Sequence, residues 1–392
     1  MNEVKSELDS GLAALRKKTP TPPRPGIGIS LSGGGYRAML FHVGALWRLN
    51  EVGLLTRAAR ISSVSGGSIT AGWLALLWAQ RGWGTSAIPE NEFRDVFAAG
   101  LRQLARCNVD IPSVLRGFAP WHNVGQEVAR CYDRVLFRGA TLQNLPDTPR
   151  FVFNASNLQS GALWRFSKPY MGDYKVGRIH NPDIQLAIAV AASSAFPPFL
   201  SPMELNLDPT QYKLDGSETL HREPFNTRPV LSDGGVYDNL GLETIFKEYD
   251  TVLVSDAGAP FNAKEAPSRV WPWQLKRVLD CIDNQVRSLR KRDLMNSFAP
   301  QQGKCDNLPQ RKGTYWGIGT SLRSYNNACG LSCSAETTLR LARTPTRLAR
   351  MNERLQEEFI NWGYAACAAS VASYFPQQDV PSSLPYPRAP LT

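Results

Sequence analysis

The sequence lacks any apolar run long enough to cross a membrane. Its nearest candidate is LAIAVAASSAF at 186–196, whereas a membrane-spanning helix needs roughly 18 or more such residues. The beginning of the chain, NEVKSELDSGLAALRKK, mixes acidic and basic residues and lacks the basic-then-apolar order of a secretory signal. We therefore expect a cytoplasmic protein that reaches a membrane, if at all, only at its surface.

Closely paired cysteines are also absent. The seven cysteines of this 392-residue chain are scattered and show no C-x-x-C spacing, which suits free thiols in a reducing compartment. Cys305, Cys329 and Cys333 are the best candidates for a zinc site, but they lack a convincing fourth ligand. We expect neither a metal nor a cofactor.

Histidine is scarce, and its positions restrict the possible chemistry. The four histidines are His42, His122, His180 and His221. In the α/β-hydrolase order the catalytic histidine follows the acid, near the end of the chain, so any acid after His221 has no such partner. His42 lies in a predicted helix, where core packing is its expected role.

The charge balance is strongly basic. The net charge is +10, and part of it is concentrated in VRSLRKRD at 286–293. A solvated helix face explains such a cluster, and an anionic lipid surface is the next alternative. Because no DNA- or RNA-binding motif accompanies the charge, we expect no nucleic-acid partner.

The order of apolar runs and turns predicts an α/β fold. From residue 26 the pattern is strand, glycine turn, helix, and it occurs twice: IGISLS before GGGYRAMLFHVGALWRLNEVG, and RISSVS before GGSITAGWLALLWAQRG. Strands that alternate with helices indicate a largely parallel sheet covered on both faces. Further strands are predicted at 150–156, 228–233 and 250–258, and long helical stretches around 271–297 and 337–375.

We predict one catalytic domain at 26–375 with elaborations. Residues 1–25 are interpreted as an amphipathic helix followed by a proline-rich linker, because Val4, Leu8, Leu12 and Leu15 fall on one helical face before TPTPPRP. Residues 83–149 contain few strand signals and are predicted to be a helical insertion or cap. Residues 376–392 form a proline-rich tail.

The first glycine turn is open to two interpretations. Gly33-x-Gly35-x-x-Ala38 satisfies a loose dinucleotide-binding fingerprint. That site also needs an acidic residue at the end of the second strand to bind the ribose, and the second strand ends in Ser62-Ser63-Val64. A nucleotide- or lipid-binding module that uses the GGGYRA loop remains the alternative to an enzyme.

The second turn resembles a nucleophile elbow. The G-x-S-x-G elbow exposes a serine at a sharp strand-to-helix bend, and Ser63-Val64-Ser65-Gly66-Gly67 places Ser65 at its centre. A carboxylate is the candidate base. Asp233, in SDGGVYDNLGLE, ends an apolar strand and is the preferred candidate. Two other acids compete with it. Asp215 does not follow a comparable strand, and Asp256 is interpreted as a buried or loop-anchoring carboxylate.

Together, GGGYR, S-x-S-G-G and D-G-G, in that order and each at a strand end, resemble the patatin-like phospholipases over roughly residues 26–260. SSAFPPF at 193–199 is similar to another segment of that family. Two small residues depart from its motifs, Ala38 in the glycine loop and Ser63 in the elbow.

The resemblance implies a three-layer α/β/α fold and a serine–aspartate dyad that needs no histidine. Ser65 would be the nucleophile and Asp233 the base, and the backbone N–H groups of Gly33, Gly34 and Gly35 would form the oxyanion hole. Arg37 would orient that loop or contact a lipid phosphate, with a surface arginine as the alternative. The implied activity is a lipid acyl hydrolase of the phospholipase A or lysophospholipase type.

One helix is a candidate for reaching the lipid. WPWQLKRVLDCIDNQVRSLRKRD at 271–293 combines two tryptophans with six basic residues, a composition that suits the surface of an anionic membrane. The residues concerned are Trp271, Trp273, Lys276, Arg277, Arg287, Arg290, Lys291 and Arg292. The alternative is that the tryptophans are core residues and the charges a solvated face.

Overall fold

The computed structural model describes residues 22–110, 124–298, 310–325, 331–375, 381 and 383–391. The strands are β1 Arg24–Leu31, β2 Ala58–Ser63, β3 Arg150–Asn157, β4 Leu163–Phe166, β5 Tyr170–Asp173, β6 Gly177–His180, β7 Met203–Glu204, β8 Tyr212–Lys213, β9 Val230–Asp233, β10 Tyr249–Asp256 and β11 Lys312–Gly317. The α-helices are α1 Gly35–Glu51, α2 Gly66–Arg81, α3 Glu90–Glu92, α4 Ala99–Leu104, α5 Val124–Tyr132, α6 Leu186–Ser193, α7 Gly235–Asp238, α8 Glu243–Phe246, α9 Trp271–Phe298, α10 Ala335–Ala342 and α11 Glu353–Tyr374.

The centre of the sheet is parallel, as the sequence predicted. Its main path runs β11-β10-β1-β2-β3-β4-β5-β6-β8, and the pairs from β11 to β3 are parallel. The strands beyond β3 are antiparallel, and β9 also pairs antiparallel with β3. In β1, β2 and β10, residues Leu31, Ser63 and Ser255 are in register, so the turns that follow these strands meet at one edge of the sheet.

Helices cover both faces of this sheet. Along β10, Leu253 belongs to the larger core, whereas its neighbours Val252 and Val254 belong to a second, smaller one. Since successive strand residues point to opposite faces, the two cores lie on opposite sides. α1, α2 and α11 cover the larger core, and α8 with the end of α9 covers the smaller. The three-layer α/β/α architecture is confirmed.

Two other expectations can be compared with the described residues. Within 83–149 the described segments are helical, including π-helical turns at Phe93–Ala98 and Asp133–Phe137, and their apolar side chains join the larger core.

The stretch predicted as one helix at 337–375 is two helices, α10 and α11. Pro345 lies between them, and proline has no N–H with which to continue a helix. The predicted helix within 1–25 lies outside the described residues, and β1 begins at Arg24, inside the predicted linker.

Candidate active site

Ser65 occupies a strained turn between β2 and α2. Its φ is 53° and its ψ is −121°, a conformation that residues other than glycine rarely adopt. The following glycines allow close backbone packing, because a Cβ on Gly66 would lie 2.1 Å from the Gly35 carbonyl oxygen and one on Gly67 would lie 2.5 Å from that of Leu31. This sharp strand-to-helix bend has the geometry of a nucleophile elbow.

Asp233 ends β9 beside this elbow. Its Oδ1 accepts the Gly235 N–H at 2.7 Å, and the Ser65 hydroxyl contacts the same carboxylate. Oδ2 is buried and has no aligned hydrogen-bond partner among the described residues. The two side chains therefore lie beside each other, and hydrogen bonds in such pairs often align only when a substrate binds.

The environment of Asp233 shifts the pKa of its carboxyl group towards neutrality. The residue is only 3% exposed, and burial raises its pKa to about 7, against the opposing effects of the Gly235 N–H and the Ser65 hydroxyl. A carboxylate in an apolar site is harder to ionise because it has lost its hydration. A pKa close to the working pH is what a general base requires.

The glycine loop packs directly on the elbow. A Cβ on Gly33 would lie 3.1 Å from the Ser65 Cβ. The Gly33 N–H already donates to the Asn239 carbonyl at 3.0 Å, which leaves Gly34 and Gly35 as the loop's available donors: no hydrogen bond from either N–H is found in the described part of the chain. Gly34 has a φ of 145° and Gly35 a φ of 59°, so both positions favour glycine.

Arg37 holds this loop from behind. Its side chain is fully buried, so the interpretation as a surface arginine is wrong. Nε donates to the Ala257 carbonyl at 3.0 Å and Nη1 donates to the Thr344 carbonyl, while Nη2 would lie 2.8 Å from a Cβ on Gly34. Burial, together with nearby Arg287, lowers the pKa of Arg37 to about 10. The position favours loop orientation over phosphate binding.

The segment after α6 connects the two candidate catalytic turns. The Ser193 carbonyl accepts the N–H groups of both Ser65, at 3.1 Å, and Gly234, at 3.2 Å, and the Ala195 carbonyl accepts the Asp233 N–H at 2.9 Å. The Ser193 hydroxyl adds a 3.2 Å contact with the Ser65 N–H. Sequence reasoning noted SSAFPPF only as a resemblance and assigned it no role.

The competing acids have other partners. Burial raises the pKa of Asp256, but the charge of Arg287 and hydrogen bonds from Arg287 and Tyr315 outweigh that effect, so the net shift is downward. Its predicted anchoring role is confirmed, since Arg287 and the Gly258 N–H both bind it. Asp215 is exposed and bonds to Ser217 within its own turn.

His42 is a packed core residue, as expected. It is buried, and its ring nitrogens contact the Ser255 hydroxyl at 2.8 Å and the Ser32 carbonyl at 2.9 Å. Burial lowers its pKa to about 4, so the ring is neutral near pH 7.

Cys305, Cys329 and His122 lie outside the described residues. The described part of the chain contains no group of three or more side chains suited to hold a metal.

The family comparison covers the part of the chain that carries these turns. A family profile described as Patatin-like phospholipase matches residues 29–246. The chain belongs to the patatin-like phospholipase family. The match includes the glycine loop, the elbow and Asp233. No curated protein matches the chain in sequence.

Two solved structures of a human phospholipase are similar to this chain in fold, and a third solved structure aligns with it at a lower score. Human GIVD cytosolic phospholipase A2 is 15% identical, with a TM-score of 0.51, over 88% of this chain and 59% of that one. Its complex with methyl gamma-linolenyl fluorophosphonate is 16% identical, with a TM-score of 0.50, over 88% of this chain and 58% of that one. VipD from Legionella pneumophila is 14% identical, with a TM-score of 0.37, over 91% of this chain and 68% of that one. This chain thus spans about three-fifths of the human enzyme.

Among the helices described, none combines the length and the apolar character that crossing a bilayer requires.

Proposed function

We propose that this protein is a lipid acyl hydrolase of the phospholipase A or lysophospholipase type. The observation that carries the proposal is the contact between a strained serine, Ser65, and a buried carboxylate, Asp233, whose pKa is raised to about 7. Strain at a non-glycine residue persists only where the surrounding structure enforces it, and such residues concentrate at active sites.

The reaction begins with the attack of Ser65 Oγ on an ester carbonyl. Asp233 accepts the hydroxyl proton, and a tetrahedral intermediate forms. Its negative charge is stabilised by the N–H groups of Gly34 and Gly35 at the start of α1, where the helix dipole also favours an anion. Asp233 then returns the proton to the leaving alcohol, and an acyl-enzyme remains.

Water completes the cycle. Asp233 removes a proton from the attacking water and passes it to Ser65 Oγ as the bond to the acyl group breaks, so the acyl chain leaves as a carboxylic acid. Because one carboxylate acts alternately as base and acid, a pKa near 7 suits both directions of transfer. This chemistry requires no metal and no cofactor.

Family membership and apolar side chains near the site support a lipid substrate. Phe196 and Phe199, in the segment that binds Asp233, are 36% and 50% exposed, and Val236, just beyond Asp233, is 54% exposed. Exposed apolar groups beside a catalytic turn favour contact with acyl chains. We propose a lipid surface as the place of action.

Hydrolysis of a soluble short-chain ester and of mixed phospholipid vesicles tests the proposal, with products identified by mass spectrometry. We expect wild type to release fatty acid from both, and Ser65→Ala and Asp233→Asn to release none. Asp215→Asn is the matched control and should retain full activity. Substantial activity in purified Ser65→Ala would exclude the serine–aspartate dyad. Activity on the ester alone would exclude a lipid as the substrate.

A further inference from the structure

α9 presents its apolar face to solvent. Of its residues only Leu294 and Ser297 are buried. Trp271 is 72% exposed and Trp273 is 60% exposed, so the interpretation of these tryptophans as core residues is wrong. Six of the exposed apolar side chains recur every three or four residues, which places these six on one side of the helix. We call this set the outer stripe: Trp271, Leu275, Val278, Ile282, Val286 and Leu289.

The basic side of the helix faces the protein instead. Arg287 forms a salt bridge with Asp256 at 2.8 Å, and Arg290 lies between Asp238 and Glu243. An amphipathic helix on a globular protein normally packs its apolar face inward. Here the ion pairs and the buried Leu294 attach the C-terminal part of the helix, and the outer stripe is exposed to solvent.

Several basic residues that the sequence assigned to a membrane contact the protein itself. Arg287 and Arg290 are engaged inward, and the Lys291 ammonium lies 4.2 Å from the centre of the Tyr315 ring. Lys276 pairs with Asp280. Neutralising Arg290, Lys291 and Arg292 together would therefore loosen the helix as well as change its charge.

The helix is attached close to the proposed site. Arg287 donates to the Gly258 carbonyl at 2.9 Å, one residue beyond Ala257, whose carbonyl accepts from Arg37 behind the glycine loop. Arg290 lies 3.4 Å from the Tyr237 carbonyl, in the short helix that follows Asp233. The contacts that orient the outer stripe are thus made next to both candidate catalytic turns.

We infer that the outer stripe docks on the surface of an anionic phospholipid bilayer and brings the catalytic edge of the sheet to its substrate. The inference rests on the proposed function, because a lipid within a bilayer must reach Ser65, which is only 5% exposed. Trp271 and Trp273 suit the interface between headgroups and acyl chains. The net charge of +10 on the chain complements an anionic surface, and Arg292 of α9 is exposed.

Binding to vesicles is measured in the Ser65→Ala background, so that lipid is not consumed. The probes are vesicles of phosphatidylcholine with phosphatidylserine and vesicles of phosphatidylcholine alone. Leu275→Gln with Ile282→Gln removes two exposed apolar groups and keeps good helix formers. Leu339→Gln is the matched control, because Leu339 is 47% exposed on α10, which packs on the opposite face of the sheet.

We expect tighter binding to the anionic vesicles, a loss on the order of tenfold in the double variant, and no change in Leu339→Gln. With Ser65 restored, the double variant should hydrolyse a soluble ester like wild type and phospholipid vesicles more slowly. Equal vesicle binding by the double variant and wild type would overturn the inference. So would a wild-type dimer that the double variant dissociates while vesicle binding is unchanged, because the stripe would then be covered by a second copy.

Failure of the proposed function gives a different result. If wild type hydrolyses neither ester nor lipid, yet binds anionic vesicles through the outer stripe, the docking surface is supported and the catalytic proposal is not. If wild type hydrolyses the soluble ester but does not bind vesicles, the catalytic chemistry stands and the docking surface does not.

Discussion

Ser193 and Ser65 are joined by two contacts from a single N–H group. The Ser65 N–H lies 3.1 Å from the Ser193 carbonyl oxygen and 3.2 Å from the Ser193 hydroxyl. The same hydroxyl also contacts the Ser68 hydroxyl at 2.8 Å and the Asn154 carbonyl at 2.6 Å. A residue distant in sequence therefore fixes the backbone from which the proposed nucleophile projects.

Ser193→Ala should slow catalysis without removing it. Loss of the hydroxyl frees one side of the strained turn and costs about 1 kcal/mol for each buried hydrogen bond lost, so we expect kcat for a soluble ester to fall roughly tenfold with KM little changed. Ser194→Ala is the control: its hydroxyl contacts Tyr132 and Val190 and not the elbow. Equal kcat values in the two variants would mean that Ser193 has no positioning role.

Gly34→Ala should abolish most of the activity. Gly34 has a φ of 145°, and an added Cβ would lie 3.0 Å from the Ala257 carbonyl oxygen, so the loop must shift and misplace its N–H donors. Loss of one oxyanion donor costs about 100- to 1,000-fold in rate. The matched control is Gly53→Ala, at a φ of 67° with nothing within 4 Å of the added Cβ; it should lose stability, by about 1 kcal/mol, and keep its kcat.

The rate should depend on pH through Asp233. Burial raises the pKa of this base to about 7, and only the ionised form accepts a proton. We therefore expect kcat/KM for a soluble ester to rise tenfold per pH unit below about 7 and to level off above it. A pH-independent rate between pH 5 and 8 would exclude Asp233 as the base.

Asp233→Asn should stabilise the protein in alkaline solution while it abolishes activity. The pKa of Asp233 is raised on folding, so the folded state binds the proton more tightly, and the stability of wild type falls as the pH rises from about 4 through about 7. The asparagine variant carries no such charge. We expect its Tm to exceed that of wild type by a few degrees at pH 8 and the difference to shrink at pH 5; a lower Tm at pH 8 would contradict this account.

The sequence predicted the parts of the site that depend on local pattern. A strand that ends in small residues before a helix is visible without a structure, and three such turns together, through their resemblance to the patatin-like phospholipases, singled out Ser65, Asp233 and the glycine loop as candidates. It was also enough to predict the parallel centre of the sheet, since strands and helices alternate along the chain.

The remainder depends on contacts between distant residues. Ser193 meets Ser65 only after folding, and the Gly33 N–H is taken by Asn239 from the turn after Asp233. The sequence left Arg37 open between the loop, a lipid phosphate and the surface, and the carbonyl groups of two remote segments accept its hydrogens. Periodicity identifies an amphipathic helix but not which residues turn inward, so the ion pair of Arg287 in α9 with Asp256 could not be foreseen.

The most direct test of the account is covalent labelling of Ser65 by a fluorophosphonate, followed by peptide mapping. Such a reagent modifies serines that an adjacent base has activated. We predict one phosphonyl group per chain on Ser65, with loss of ester hydrolysis in proportion to labelling, no adduct in Ser65→Ala and strongly slowed labelling in Asp233→Asn. An unlabelled Ser65 in a protein that hydrolyses esters, or equally fast labelling of Asp233→Asn, would contradict the serine–aspartate dyad.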